Sequence, residues 1–198
     1  MDPFQIITLA LLGIFYSAYL AKALTMKRRG ITVNLLGKGD KPKSSLYIEL
    51  FLQVSTFAGA IIQVGSSVFP KAVWAFNVPT AVQIAGVVII IVGIILFVIA
   101  MLTMSDNWRA GFVSNQNTNL VTKGVYSISR NPAFVGFDML YVGCAAVFPN
   151  IVNIAVAIIA VVLFHFQIIN EEKYCAKALG EEYIVYKSKT MRYLGTRN

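Results

Sequence analysis

Charge is what this sequence has least of. Asp, Glu, Lys and Arg make up 13% of its 198 residues and hydrophobic residues 57%, where soluble domains carry roughly 25% charge. So little charge cannot cover a water-facing surface, and the solvent it implies is lipid. Histidine is limited to His165 and cysteine to Cys144 and Cys175. Without C-x-x-C spacing and with one His, the usual ligand sets of zinc and iron–sulfur sites are missing, and no metal is expected. Both cysteines lie in or beside apolar stretches and read as small buried hydrophobes. Internal repeats and low-complexity tracts are absent, as is the G-x-G-x-x-G turn of a soluble dinucleotide-binding domain. The first apolar run has no basic flank before it and is too long for a signal-peptide core, so no cleavable leader is expected.

What remains is five apolar runs, at about 4–26, 46–69, 80–104, 133–148 and 151–169. A crossing helix needs about 20 residues, so the first three are long enough and the fourth is short. Pro149-Asn150 leaves room only for a tight hairpin between the last two. The net charge of +8 is unevenly distributed. Segment 27–45 holds six Lys and Arg, 105–132 three and 170–198 six, with Lys22 facing the same side and Lys71 alone opposite. Sixteen of seventeen basic residues on alternating loops is a positive-inside pattern. It predicts an all-α integral membrane protein with five transmembrane helices, its N-terminus outside and its tail cytoplasmic. The basic residues then read as topology and contact with anionic lipid, with no nucleic-acid partner.

Ionisable residues within spans are functional candidates. Glu49, in the first turn of span 2, is expected to reach the headgroups. Asp138 lies about 9 Å into span 4 by helical rise and should face protein or a water-filled cavity, with His165 as its candidate partner. After span 5 comes "NEEKYCAKALGEEYIVYKSK". Gly180 is a helix stop, and a short amphipathic helix follows, with Glu181 and Glu182 on its solvated face.

Between the third and fourth spans stands "LVTKGVYSISRNPAFVG", residues 120–136. A spanning helix needs none of this Lys, Tyr, Arg-Asn-Pro and Gly vocabulary. Together with the tail stretch some thirty residues later, it resembles the isoprenylcysteine carboxyl methyltransferase family, part of the phospholipid methyltransferase group. That family reads LVT-x-G-x-Y-x-x-x-R-H-P-x-Y-x-G, an apolar hairpin, a Glu-Glu pair and G-x-x-Y-x-x-Y. The resemblance covers residues 116–190. It implies an integral-membrane enzyme that binds S-adenosylmethionine (SAM) and methylates a lipophilic or prenylated acceptor, with residues 1–104 as lipid-facing scaffold and 105–198 as the catalytic part. The cofactor contacts it implies are Gln116, Thr118, Asn119, Leu120, Val121, Tyr126, Asn131, Pro132, Ala133, Phe134 and Glu171. The hairpin and the amphipathic tail together would form the cofactor site.

These residue types suit that chemistry. Tyr126 and Phe134 offer aromatic surface for an adenine. Gly124 and the pre-proline Asn131 interrupt the helix and free backbone groups, which at membrane depth is tolerated only beside a cavity. Glu171 can accept from ribose hydroxyls or an ammonium. Two positions depart from the family: Asn131 stands where His is usual, and Gln167 where the family has its substrate-contacting Arg. Arg130 and Gln167 are therefore the candidate catalytic residues, Arg130 as a substitute cation. Alternatives are a phospholipid or other small lipophilic N- or S-methyltransferase, an NADPH-dependent membrane reductase related to the sterol reductases, and a non-catalytic channel or scaffold.

Overall fold

A computed structural model describes residues 1–71, 74–112 and 119–196. The described residues form α-helices α1 (Pro3–Arg28), α2 (Lys43–Val68), α3 (Thr80–Met104), α4 (Pro132–Val147), α5 (Ile151–Leu179) and α6 (Glu181–Lys189). Single 3-10 turns lie at Ser105–Asn107 and Gly124–Ser127, and the only extended pairing among the described residues is three isolated bridges.

Local chemistry sets several of these boundaries. Asp2 and Gln5 cap α1 reciprocally, each side chain accepting from the other's backbone N–H at 2.9 and 2.7 Å, so two otherwise orphaned donors are satisfied. Pro3 and Pro132 open their helices, where a missing N–H costs nothing. Asn150 caps α5 by accepting from the Asn153 N–H at 2.8 Å. Gly180, at φ +57°, ends α5 and starts α6 in a conformation that favours glycine.

α1, α2, α3 and α5 are long and apolar enough to cross a bilayer, whereas α4, at 16 residues, is shorter. Ile14, Phe51, Ile95 and Ile158 are exposed on their outer faces, an arrangement only lipid solvates. The chain is an integral membrane helical protein. α5 runs for 29 residues, about 43 Å at 1.5 Å per residue, so it continues well past the apolar run ending near residue 169.

α4 sits at the centre. On one side it meets α3 through two glycine pairs, Gly86 with Gly143 and Gly93 with Gly136. A Cβ placed on Gly136 would lie 2.7 Å from the Gly93 carbonyl oxygen, and one on Gly143 2.8 Å from that of Gly86. Backbones this close gain dispersion contacts and Cα–H···O approaches, the usual adhesive between helices in lipid. Here Phe15 of α1, Ile90 and Phe97 of α3 and Leu140 and Cys144 of α4 form one buried cluster. On the other side of α4, Tyr141 packs with Leu52 of α2 and Ala157, Ala160 and Phe164 of α5.

The ends of the bundle differ in charge. Gln5 Nε2 donates to the Ser67 and Val68 carbonyls at 2.9 and 3.0 Å, and the Phe76 N–H donates to Pro149 O at 2.8 Å. That end also carries the turn holding Lys71. At the other end Arg29 pairs with Asp106 at 2.9 Å and Leu35 N–H donates to Ala110 O at 2.8 Å. The three basic segments therefore gather at one end.

Candidate active site

α1 and α2 do not close fully against α4 and α5, and the gap is a cavity of about 550 Å³, within the range of small-molecule sites. Its walls are apolar: Phe15, Tyr16 and Tyr19 from α1, Leu52 and Phe57 from α2, Phe97 from α3, Ala133, Phe134 and Phe137 from α4, and Phe164 from α5. Polar groups collect where Asn34–Leu36 and Trp108–Gly111 meet the C-terminal turns of α5, at Gln53, Arg109, Gln167 and Glu171. Residues before 104 thus form much of the wall of a cavity whose acid end lies on α5.

The polar end is a connected network. Gln167 and Glu171 are one helical turn apart, which puts them on the same face of α5, and Gln167 Nε2 donates to Glu171 Oε1 at 2.9 Å. The Gly111 backbone N–H also approaches the Glu171 carboxylate. Behind Gln167 stands Glu49, its Oε1 3.5 Å from Gln167 Nε2. Lys41 Nζ donates to both Glu49 oxygens at 2.7 Å and to Leu35 O at 3.1 Å and lies 4.6 Å from the Phe112 ring centre. Both side chains of the Lys41–Glu49 pair have no exposed surface. Their charges cancel, leaving Glu171 and Arg109, among the described residues, as the acidic and basic side chains that line the cavity.

Sequence reasoning placed Glu49 at the headgroups; the structure buries it instead, because segment 29–42 folds back over α2 and delivers Lys41 to it. The signal was an acidic residue inside a span, but the partner lies eight residues upstream across a loop–helix boundary, where no periodicity links them. The proposed Asp138–His165 pair does not form either. His165 Nδ1 meets the Tyr193 hydroxyl, and Asp138 Oδ1, buried, has no hydrogen-bond partner.

The candidate residues divide between two places. Ala133, Phe134, Gln167 and Glu171 share the cavity. Gln167 also presents there a buried Oε1 without a donor. Arg130, Asn131, Tyr126 and Pro132 are all buried but stand beside the C-terminal tail. Arg130 Nε and Nη2 donate to Glu172 Oε1 at 3.1 and 2.9 Å, and Nη1 donates to the Thr190 and Lys187 carbonyls. Asn131 Nδ2 donates to the same Glu172 oxygen at 3.1 Å and to Arg192 O at 3.1 Å. Arg192 takes the other Glu172 oxygen at 3.0 Å, and that contact holds its guanidinium above its ordinary pKa. Tyr186 Oη donates to Tyr126 O at 2.6 Å, and burial pushes the Tyr126 phenol above its ordinary value. Arg130 is thus a strut that ties the tail to the start of α4, with Nε, Nη1 and Nη2 each bonded. Asn119, Leu120 and Val121 lie in irregular chain outside the cavity lining, and Gln116 and Thr118 lie outside the described residues.

Residues 81–182, just over half the chain, match the profile of the phospholipid methyltransferase family. The chain belongs to this family. It is 28% identical over 144 residues to a protein-S-isoprenylcysteine O-methyltransferase of Saccharomyces cerevisiae, covering 70% of this chain and 60% of that one. It is 31% identical over 114 residues to the protein of the same name from Xenopus laevis, covering 56% and 39%. A protein-S-isoprenylcysteine O-methyltransferase B of Arabidopsis thaliana is 31% identical over 107 residues, covering 52% and 54%. The chain therefore spans between about two fifths and three fifths of the length of these relatives. The matched region of this family member includes α3 to α5, and with them both glycine pairs, the Arg-Asn-Pro turn and Glu171.

Proposed function

We propose that this protein is a SAM-dependent methyltransferase that methylates the carboxylate of a lipophilic, isoprenylcysteine-like acceptor. The observation that carries the reading is the pairing of Gln167 and Glu171 at the polar end of an otherwise apolar cavity. A carboxylate with an adjacent unpaired amide oxygen suits a cofactor bearing a ribose diol and an ammonium. Glu171 and Gln167 would hold those donors, and Phe134 and Ala133 would offer apolar surface to the adenine. Gln116, Thr118, Asn119, Leu120 and Val121 stay candidate contacts on the resemblance alone. Tyr126, Asn131 and Pro132 act indirectly, through the turn they shape.

SAM, when bound, supplies a methyl group on a sulfonium, and a carboxylate oxygen takes that methyl with the C–S electrons returning to sulfur. No proton moves, so no general base is required. The protein's work is to align the acceptor and keep water out, which the aromatic wall does. The apolar wall would take a prenyl chain, and the polar end its headgroup.

The same reading gives the protein five crossings, α4 included, with the N-terminus outside and the tail and cavity mouth cytoplasmic. Its support is the basic residues gathered at one end of the bundle. Division of labour follows: residues 1–104 as a scaffold that also walls the acceptor channel, and 105–198 as the part that binds cofactor. A reductase reading is less well supported, because the several NADPH phosphates need more than one cation and, among the described residues, Arg109 alone supplies one to the cavity wall.

Purified protein in detergent, given methyl-labelled SAM with an N-acetylated S-farnesylcysteine or with phosphatidylethanolamine, tests the acceptor class. The acid is expected to acquire a label that base releases as methanol, with no transfer to the amine. Base-stable label on the amine alone would contradict the proposal.

A further inference from the structure

Gln167 leaves the proposed reaction without a cation at the position where the family has one. Arg130 does not fill that role, being enclosed by Glu172 and the tail carbonyls. Lys41 does not either: its three donors reach Glu49 and Leu35 O. Among the described residues one basic residue remains on the cavity wall, Arg109. Its Nη1 donates to the Asp106 and Trp108 carbonyls at 2.6 and 2.8 Å. These two contacts use both Nη1 hydrogens and fix the plane of the guanidinium. Among the described residues, the Nε–H and Nη2–H edge takes no acceptor, and that edge matches a carboxylate bidentately. Asp106 does not neutralise it through a side-chain bond, since its carboxylate pairs with Arg29.

Position favours the same use. Arg109 lies two residues before Gly111, whose N–H reaches Glu171, so the two Cα atoms are at most about 7.6 Å apart. Arg109 and Glu171 both line the polar end of one cavity, so a carboxylate held by Arg109 would share that end with whatever Glu171 binds. The opposite charges of Glu171 and Arg109 give the cavity one site for a cationic ligand end and one for an anionic end.

We infer that Arg109 binds the acceptor carboxylate and sets acceptor specificity, supplying from the α3–α4 segment the charge that α5 lacks at Gln167. This rests on the proposed methyl transfer to a carboxylate. The chemistry recognised is a carboxylate, which the methionyl end of SAM also carries, and the test separates the two. Binding of N-acetylated S-farnesylcysteine and of its methyl ester is measured by quenching of Trp108, which lies buried on the same wall. SAM binding is measured by calorimetry on the same preparations. Wild type should prefer the acid over the ester by about 10- to 150-fold, the span of one charge-assisted contact. Arg109→Gln should abolish that preference while leaving ester and SAM binding unchanged, and Arg109→Lys should retain part of it. Full acid preference in Arg109→Gln overturns the inference, as does weakened SAM binding with acid preference intact, which would assign Arg109 to the methionyl carboxylate. If acid preference depends on Arg109 but no methyl transfer occurs, the inference stands and the methyltransferase reading fails.

Discussion

Lys41→Met is expected to lower the melting temperature in detergent by about 6–20 °C. Breaking a fully buried ion pair by removing one partner costs about 3–5 kcal/mol, and each kcal/mol shifts a chain of this size by about 2–4 °C. The methionine fills the space but leaves the Glu49 carboxylate with only the Gly37 N–H at 2.7 Å and the distant Gln167 amide. It also leaves the Leu35 carbonyl without the donor that ties segment 29–42 to α2. The paired change Lys41→Met with Glu49→Leu should recover most of the loss, since a well-packed apolar pair of similar volume is often neutral or better. Differential scanning fluorimetry on the three proteins checks this. A single variant that melts within 1 °C of wild type would show that Lys41 and Glu49 do not form a closed pair.

That pair marks where sequence reading stopped. The spans were legible because each is a run of apolar residues, and the observed limits of α2, α3 and α4 fall within a few residues of those expected. α5 overran its hydropathic end by ten residues because Glu171, Glu172, Lys173 and Lys177 are good helix formers that hydropathy scores as non-membrane. Gly180, Glu181 and Glu182 were readable from local chemistry alone, and the structure shows a glycine stop followed by a helix whose two acids are exposed. Burial of Glu49 was not legible, nor the Arg130–Glu172–Arg192 strut, because each depends on a loop or tail folding back across a long sequence separation. The motif brought Gln167, Glu171, Ala133 and Phe134 to one cavity. The half of the wall from α1 and α2 carries no motif and has only hydrophobicity to announce it.

Gly136→Leu should be the most damaging single change in the helical core. Its Cβ would meet the Gly93 carbonyl oxygen at 2.7 Å and the Phe97 Cβ and N at 2.9 and 3.0 Å. Two of these are backbone atoms, which cannot rotate aside, so α4 must move away from α3. Overpacking commonly costs about 1–3 kcal/mol, and here the loss of close interhelical contact adds to it. Displacing α4 also shifts Ala133, Phe134 and Phe137, so methyl transfer should fall further than stability alone explains. Gly13→Leu is the control: nothing lies within 4 Å of a Cβ there, and a helical glycine replaced by a better helix former should be neutral or slightly stabilising. Melting temperature and initial rate, measured together on both variants, check the contrast. Equal behaviour of the two would mean that α3 and α4 are not in glycine-mediated contact.

Equilibrium SAM binding to wild type, Glu171→Gln and Glu182→Gln bears most directly on the cavity as a cofactor site. Glu171 lines it, and Glu182 stands exposed on α6, so both variants lose one carboxylate but only one loses a cavity wall group. Glu171→Gln should weaken SAM by about 1.5–3 kcal/mol, the range for hydrogen bonds to a charged group, or about 10- to 150-fold. Glu182→Gln should bind as wild type does. Equal weakening in both variants, or undiminished binding in Glu171→Gln, would contradict the assignment of the cofactor to this cavity.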